Sequence, residues 1–291
     1  MHGFPEEMKW GSKVTKYIVT DKWDQDDDDW DNDDWDDDDW DDDDRYDDDR
    51  YDEQDDWDDD DERRDNMNGI ANILENNGKA SYKEINSIKS NVYTGSIHLK
   101  KGTDTDVITV ESIDINEKLG FRAFEKDGIL YLTSNKKIKK SNNIGKGTIT
   151  VTIPENMAFN EIELNMKAGK LKADQIRTKN LEVNAGAGEV NILEFQAEEA
   201  EFVCGAGSVT ASGDAGKKLE ADCGVGELLL NLKGVKEDYN YDLECGIGEI
   251  RCADESYSGF GKDYTIDNHA AKNMEIECGI GQITVKYMNQ M

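Results

Sequence analysis

Apolar and polar residues alternate with a period of two along most of residues 161–285. Each alternating stretch runs into a short Gly-x-Gly string, which is Lys-Ala-Gly at 167–169 in the first, and beyond it the apolar positions change parity. Period-two alternation is typical of a β-strand with one buried face, and a change of parity requires a corner in the chain. The pattern therefore predicts a unit of strand, glycine corner, second strand and return.

The Gly-x-Gly strings recur along the chain, with 19, 19, 19, 22 and 33 residues between their second glycines. These six corner glycines are Gly169, Gly188, Gly207, Gly226, Gly248 and Gly281. Three identical spacings indicate a structural repeat. Coils that stack at strand spacing, about 4.8 Å, bury their apolar faces against one another. We therefore expect an all-β fold, a single-stranded parallel β-solenoid with 19-residue coils, whose glycines supply the backbone geometry of the corner.

Alignment of the repeats on these glycines predicts which side chains face the core. One inward column contains Leu164, Val183, Phe202, Ala221, Leu243 and Ile276. A second contains Cys204, Cys223, Cys245 and Cys278, and Cys252 falls on another inward column. The residues between the two glycines are also expected to be buried: Ala168, Ala187, Ala206, Val225, Ile247 and Ile280.

The predicted domain spans residues 91–287, with regular coils from about residue 161. Residues 91–153 are rich in alternating and β-branched stretches, and we expect them to cap the open end of the stack. The longest insertion, at 255–273, should project as a loop from one side. It contains a candidate short strand at Tyr264–Ile266.

Three segments precede this domain. Residues 1–20 are expected to be a tail, and residues 21–66 an acidic segment rich in Asp and Trp. Residues 67–90 are expected to be a linker, in which residues 67–77 are a candidate short helix.

The acidic segment carries much of the charge of the chain, whose formal net charge is −32. Residues 21–65 contain 30 of the 66 acidic residues but only five basic ones. Trp30, Trp35 and Trp40 recur every five residues, a period that fits neither a helix nor a strand. Since the carboxylates repel one another and have little to bury, we expect this segment to be disordered. Three roles stay open: a solubilising spacer, a low-affinity sink for Ca²⁺, and an acidic–aromatic bait for a basic partner.

Charge and hydropathy exclude several classes of function. Contacts to nucleic-acid phosphates need clustered Lys and Arg, so a nucleic-acid partner is not expected. No apolar run approaches the roughly 20 residues of a membrane span, and none near Met1 has the length of a signal peptide. On this basis the expected location is cytoplasmic.

A column of acidic residues is predicted to face outward, three residues before the cysteine column. Its members are Glu163, Glu182, Glu201, Glu220, Asp242 and Glu275. Like charges stacked one strand apart repel, and Lys179, Lys217 and Lys272 are candidates to neutralise part of this stripe. The stripe is either a solvated polar face or a surface for divalent cations or a basic ligand.

The cysteines and histidines offer little sign of catalysis. Cysteine acts in the predicted column as a small apolar filler that Ala185 replaces in one coil; a disulfide or metal ladder is the alternative. The three histidines, His2, His98 and His269, are scattered in sequence and predict neither a triad nor a metal cluster.

The Gly-x-Gly corners, the string TITVTIPENM (148–157) and the ending NMEIECGIGQITV (273–285) resemble the bacterial putative-adhesin family of β-solenoid domains, a domain of unknown function. The resemblance covers roughly residues 91–287. It implies a β-solenoid fold that often faces outward from a membrane segment, which makes the cell surface the alternative location. The resemblance brings no catalytic residues to this chain.

Taken together, these features predict a non-catalytic, adhesin-like structural or binding module that presents its faces to a protein, glycan or envelope partner. The alternative is a divalent-cation protein that binds or buffers Ca²⁺ with the acidic segment and the stripe. No cofactor is expected apart from weakly bound Ca²⁺, and the oligomeric state stays open.

Overall fold

The computed structural model describes four stretches of the chain: residues 72–103, 105–135, 144–258 and 261–288. Within them the chain forms twenty β-strands and no α-helix, so the expectation of an all-β fold is confirmed. Three single-turn 3₁₀ helices connect strands, at Glu117–Leu119, Ile144–Lys146 and Lys236–Asp238. The predicted tail at 1–20 and the acidic segment at 21–66 lie outside the described residues.

The strands fall into three groups along the chain. The first eight precede the glycine repeats: β1 (Leu74–Glu75), β2 (Gly78–Lys83), β3 (Ser87–Val92), β4 (Ser96–Lys101), β5 (Val107–Ile113), β6 (Arg122–Lys126), β7 (Ile129–Thr133) and β8 (Thr148–Ile153). The next eight contain most repeats: β9 (Phe159–Met166), β10 (Lys170–Ala173), β11 (Ile176–Ala185), β12 (Glu189–Cys204), β13 (Ser208–Cys223), β14 (Glu227–Lys233), β15 (Tyr239–Cys245) and β16 (Glu249–Cys252). The last four are β17 (Glu255–Ser258), β18 (Lys262–Ile266), β19 (Lys272–Cys278) and β20 (Gln282–Met288).

The repeats stack as two ladders of parallel strands joined at the glycine corners. The first-arm ladder contains, in spatial order, β3, β9, β11, the second halves of β12 and β13, β19 and β15. The second-arm ladder contains β4, β10, the first halves of β12 and β13, β14, β20 and β16. Neighbouring coils pair in register, so that Leu181 lies between Ile162 and Ala200.

The predicted inward columns form one core. The column from Leu164 to Ile276 is fully buried, and the cysteine column is buried beside it. Both arms contribute to this core, because each presents one apolar face to the space between the ladders. The register and these inward columns are therefore confirmed.

The spatial order of the last two coils differs from their order in the chain. The C-terminal coil, β19 and β20, lies inside the stack: β19 pairs with both β13 and β15, and β20 with both β14 and β16. We expected each coil to stack on the one before it, and for these two coils that expectation is wrong. The longest insertion makes the exchange feasible, because it lets the chain pass the outermost coil and return beneath it.

Both ends of the stack are antiparallel, so the expectation of a purely parallel solenoid is wrong. At the N-terminal end β6 pairs antiparallel with β7 and β1, while β5 pairs antiparallel with β8 and β2. At the other end β17 and β18 pair antiparallel with β16 and β15. The sheet is therefore mixed, and its reversed strands cover edges that would otherwise expose unpaired backbone groups.

Two predicted segments take a different form from the one expected. The described part of residues 67–90 is not a linker, because it contains β1, β2 and the start of β3. The predicted helix at 67–77 does not form over its described residues, because Asn72 and Asn76, on either side of β1, have φ angles of 64° and 51°. The strands β17 and β18 of the insertion at 255–273 lie along the edge of the stack rather than projecting as a loop. The predicted strand at Tyr264–Ile266 is part of β18.

Close stacking, rather than an unusual dihedral angle, explains five of the six corner glycines. Only Gly169 has a left-handed φ, of 122°. A Cβ atom on Gly207 would lie 2.0 Å from the carbonyl oxygen of Gly188, and one on Gly226 would lie 2.1 Å from that of Gly207. Backbone hydrogen bonds run through the corner, as from Ala206 N to Gly186 O at 2.8 Å, and hold the coils at this distance. The expected geometric role of the glycines is corrected accordingly.

Candidate functional site

The predicted acid stripe forms a continuous row across six coils. Its members lie opposite one another in the order Glu163, Glu182, Glu201, Glu220, Glu275 and Asp242. The last two positions are exchanged relative to the sequence, because the C-terminal coil is internal. In-register pairing places neighbouring carboxylates about one strand spacing apart.

Lysines and asparagines compensate much of this row. Lys89 Nζ lies 3.1 Å from a carboxylate oxygen of Glu163, and Lys218 Nζ lies 3.0 Å and 3.1 Å from oxygens of Glu220 and Glu275. Burial alone lowers the pKa of Lys218, but its two carboxylate partners outweigh this and raise it. The Asn184 side chain donates to Glu182 at 2.7 Å. The row is thus an internally paired polar face over much of its length.

Two of the three lysines that we expected to neutralise the stripe pair elsewhere. Lys217 pairs with Glu198, and Lys272 Nζ lies 2.8 Å from an oxygen of Asp214. Lys217 lies on β13 and Lys272 begins β19, and their partners Glu198 and Asp214 lie on the adjacent strands β12 and β13. The spacing of these lysines along the sequence does not show whether they pair with the stripe or with Glu198 and Asp214.

Three carboxylates, those of Glu244, Asp263 and Asp242, lie near one another at the outermost coil. Burial raises the pKa of Glu244, and the neighbouring carboxylates of Asp263 and Asp242 raise it further. A raised carboxyl pKa means that the site disfavours another negative charge. A cationic group placed beside Glu244 would relieve this repulsion.

The corners carry an apolar ridge that the sequence interpretation placed in the core. Val225, Ile280 and Ile247 lie on three consecutive coils, and 62%, 59% and 51% of their surfaces are exposed. Each N–H donates to the first-glycine carbonyl of the preceding coil, as from Ile280 to Gly224 at 2.7 Å, so the side chain points out of the corner. The expectation that this column is buried is wrong, because the change of parity occurs before this residue. These three residues are called the corner ridge below.

Acidic residues flank the corner ridge on both sides. Glu277 and Glu244 precede the ridge positions of their coils by three residues, and Glu227 and Glu249 follow theirs by two. A contiguous exposed apolar patch with a polar rim is typical of an interaction surface. The surface offers apolar contact at its centre and negative charge around it.

The cysteines are free and buried. Cys278 Sγ lies 3.1 Å from the carbonyl oxygen of Gly281, and Cys245 Sγ lies 3.2 Å from that of Gly248. Burial, followed by the neighbouring Cys245, raises the pKa of Cys278 to about 11, so this thiol is protonated at neutral pH. A protonated thiol is a poor nucleophile and metal ligand. The cysteine column fills space in the core, as the sequence predicts. Its contacts with the corner carbonyls do not follow from the sequence.

The described histidines lie apart from each other. His98 Nε2 lies 3.0 Å from an Asp174 oxygen on the second-arm ladder, and His269 lies beside Asp267 in the connection between β18 and β19. His2 lies outside the described residues. Within the described residues no group of three or more His, Cys, Asp or Glu side chains has an arrangement that could hold a metal ion. The same portion of the chain contains no helix with the length and apolarity needed to cross a membrane.

These features define an all-β domain of stacked coils with a polar face and an apolar corner ridge. A family model described as Toastrack DUF4097 matches residues 77–265, which is more than half of the chain. The chain therefore belongs to the Toastrack DUF4097 family. A comparison with curated proteins finds no match.

Several solved structures are similar to this chain. One is a putative cell adhesion protein from Clostridium sporogenes, with 17% identity, a TM-score of 0.43, and coverage of 73% of this chain and 100% of that one. A putative adhesin from Bacteroides fragilis has 17% identity, a TM-score of 0.34, and coverage of 73% and 96%. A putative adhesin from Parabacteroides merdae has 14% identity, a TM-score of 0.37, and coverage of 75% and 97%.

Proposed function

We propose that this domain is a non-catalytic, adhesin-like binding module whose corner ridge contacts a protein, glycan or envelope partner. The observation that carries the proposal is the row of exposed apolar side chains on three adjacent coils. Single exposed apolar residues are ordinary on a protein surface, but a contiguous row is not. The names of similar solved structures are consistent with this role.

The chemistry of the ridge narrows the class of partner. Glu244 has a raised pKa because burial and nearby carboxylates disfavour its charge, so a partner that brings Lys or Arg to the rim is favoured. The centre requires an apolar contact that covers Val225, Ile280 and Ile247. A partner surface with an apolar groove and a basic rim meets both requirements.

The calcium alternative divides into two parts. Lys89, Lys218 and Asn184 contact carboxylates of the stripe, which leaves fewer oxygens for a cation. The acidic segment at 21–66 lies outside the described residues, and its binding of Ca²⁺ stays a proposal. Calorimetric titration of the full chain with Ca²⁺ tests it: heat that fits a set of weak sites supports the proposal, and no heat contradicts it.

The experiment for the binding role compares matched surface variants. The full chain is immobilised, and the retention of bacterial cells, envelope fragments and purified cell-wall glycan is measured. A variant with Val225, Ile280 and Ile247 all changed to Ser is compared with Leu193→Ser, which removes one apolar side chain that is 51% exposed on β12. Both variants are checked for unchanged thermal midpoints.

We expect wild type and Leu193→Ser to retain at least one of these materials, and the triple variant to lose retention at least tenfold. Equal retention by all three proteins would show that the ridge is not the contact surface. Turnover in a broad hydrolase screen, lost on heat denaturation, would refute the non-catalytic part of the proposal.

A further inference from the structure

A cavity of about 130 Å³ opens at the end of the stack where β17 and β18 cover the outermost coil. The two strands attach to different ladders, β17 to β16 and β18 to β15, and the interior of the coil is reached between them. Tyr241, Leu243 and Cys252 line the bottom of this end pocket, while Tyr257 and Ile266 line its sides. The pocket is therefore the part of the core that the two short strands leave uncovered.

The volume and lining of the end pocket select a ligand with a ring-sized apolar group. A cavity of about 150 Å³ lined by apolar side chains accommodates benzene, so this one takes a group of comparable size. Tyr257 packs edge-on against Tyr264, with ring centroids 5.0 Å apart, which fixes the aromatic side of the pocket. Cys252, 6% of whose surface is exposed, presents apolar surface at the bottom, whereas Leu243 is fully buried there.

The two tyrosine hydroxyls of the pocket already donate hydrogen bonds within the protein. Tyr241 Oη donates to the carbonyl oxygen of Lys236 at 2.6 Å, and Tyr257 Oη donates to Glu255. Lys236 Nζ lies 3.1 Å from the other oxygen of Glu255. A carboxylate ligand would therefore have to share the Lys236 ammonium with Glu255.

The rim leaves acceptors available. Asn268 Nδ2 donates to Tyr239 O at 2.8 Å, which fixes the amide, and within the described part of the chain its Oδ1 accepts no hydrogen bond. The Glu237 carboxylate lines the same rim and, among the described residues, takes part in no ion pair. Together with Glu255 and Lys236, Glu237 gives the rim a net negative charge. Aromatic rings and carboxylates around one pocket favour a cation.

We propose that the end pocket binds a small organic ammonium, a protonated amine carried by a single ring-sized apolar group. The apolar group lies against Cys252, Ile266 and the Tyr257 ring, and the ammonium donates to Glu237 and Asn268 Oδ1. This site is separate from the corner ridge and does not depend on the proposed adhesin role.

Three probes of one shape and different charge test the proposal: benzylammonium, benzyl alcohol and benzoate. Their binding to the full chain is measured at pH 7 by NMR titration. We expect benzylammonium to bind with a Kd of about 1 mM or lower, which is ordinary for a ligand of this size. Benzyl alcohol should bind at least fivefold more weakly, and benzoate at least tenfold more weakly.

Two exposed carboxylates supply matched variants. Glu237→Gln removes the rim charge, and Glu199→Gln removes an exposed carboxylate on β12 that does not line the pocket. We expect Glu237→Gln to weaken benzylammonium binding at least fivefold and leave benzyl alcohol unchanged, while Glu199→Gln changes neither. Any of three results would overturn the proposal: no binding of benzylammonium at a concentration 20-fold above the expected Kd, equal affinities for the three probes, or an unchanged affinity for benzylammonium in Glu237→Gln.

Discussion

The replacement of Gly226 by Ala tests why the corners contain glycine. The new Cβ atom would lie 2.1 Å from the carbonyl oxygen of Gly207 and 2.9 Å from Cys204 Sγ. Both distances are well below van der Waals contact, and the first involves backbone, which cannot rotate away. The coils on either side of this corner must separate locally to admit the methyl group.

The cost follows from two contributions. Overpacking in a well-packed region costs about 1–3 kcal/mol. Separation of the coils also weakens the hydrogen bond from Glu227 N to Gly207 O, now 3.1 Å long, which contributes about 0.5–1.5 kcal/mol. We therefore expect the free energy of unfolding to fall by about 2–4 kcal/mol, or a drop in Tm of about 4–16 °C for a domain of this size.

Gly216→Ala is the matched control, because Gly216 is an exposed glycine on β13 in the same region of the stack. Its Cβ atom would meet nothing closer than Ala197 O at 3.6 Å, an ordinary contact. Because alanine restricts the unfolded chain more than glycine does, Gly216→Ala should leave Tm unchanged or raise the free energy of unfolding by about 0.4–1 kcal/mol. Thermal and urea unfolding of both variants give the comparison. Equal losses in the two variants would refute the stacking explanation.

Three further outcomes are expected. Cys223→Ala should lower the free energy of unfolding by only about 1 kcal/mol, which is less than the loss in Gly226→Ala, because Ala185 already occupies this column. Urea unfolding measures the loss, and a value as large as that of Gly226→Ala would contradict the prediction. Lys218→Ala should lower the free energy of unfolding by about 0.5–1 kcal/mol, and by less in 1 M salt, because Lys218 contacts both Glu220 and Glu275. The control Lys233→Ala removes a single exposed pair with Glu194 and should lower it less. Equal losses in the two variants that do not depend on salt would argue against compensation of the stripe by Lys218. Hydrogen bonds from Arg251 and then Ser256 hold the pKa of Glu249 at about 2, so its contribution to stability is present above pH 4.5 and is lost as the pH falls towards 2. NMR titration should show the pKa of Glu249 rising in Arg251→Ala, and an unchanged pKa would show that Arg251 does not cause the shift.

The sequence predicts the parts of this fold that repeat. Alternation and glycine spacing place Leu164 and its successors in one buried column, because every coil meets the same constraint. The acid row from Glu163 to Asp242 follows from the same alignment. Such features depend only on a period and on which face of a strand is apolar.

A period does not encode which way a corner residue faces, nor features that occur once in the fold. Val225, Ile247 and Ile280 look like core residues, because their hydrophobicity is the same whether they face inward or outward. The exchange of the last two coils is equally invisible, since Cys245 and Cys278 fit either position. The end pocket depends on how far β17 and β18 extend over the last coil, and a local pattern does not contain that information.

The internal position of the C-terminal coil has a consequence for synthesis of the protein. The ribosome releases β15 and β16 before β19 and β20, and at about 5–20 residues per second the delay lasts a few seconds. During that time β13 and β14 have an open edge whose columns match those of β15 and β16. The nascent domain must either keep this edge vacant or expel an early occupant when the last coil arrives. We therefore expect chains arrested at residue 270 to be far more sensitive to protease than complete chains, because completion of this domain is an insertion rather than an addition.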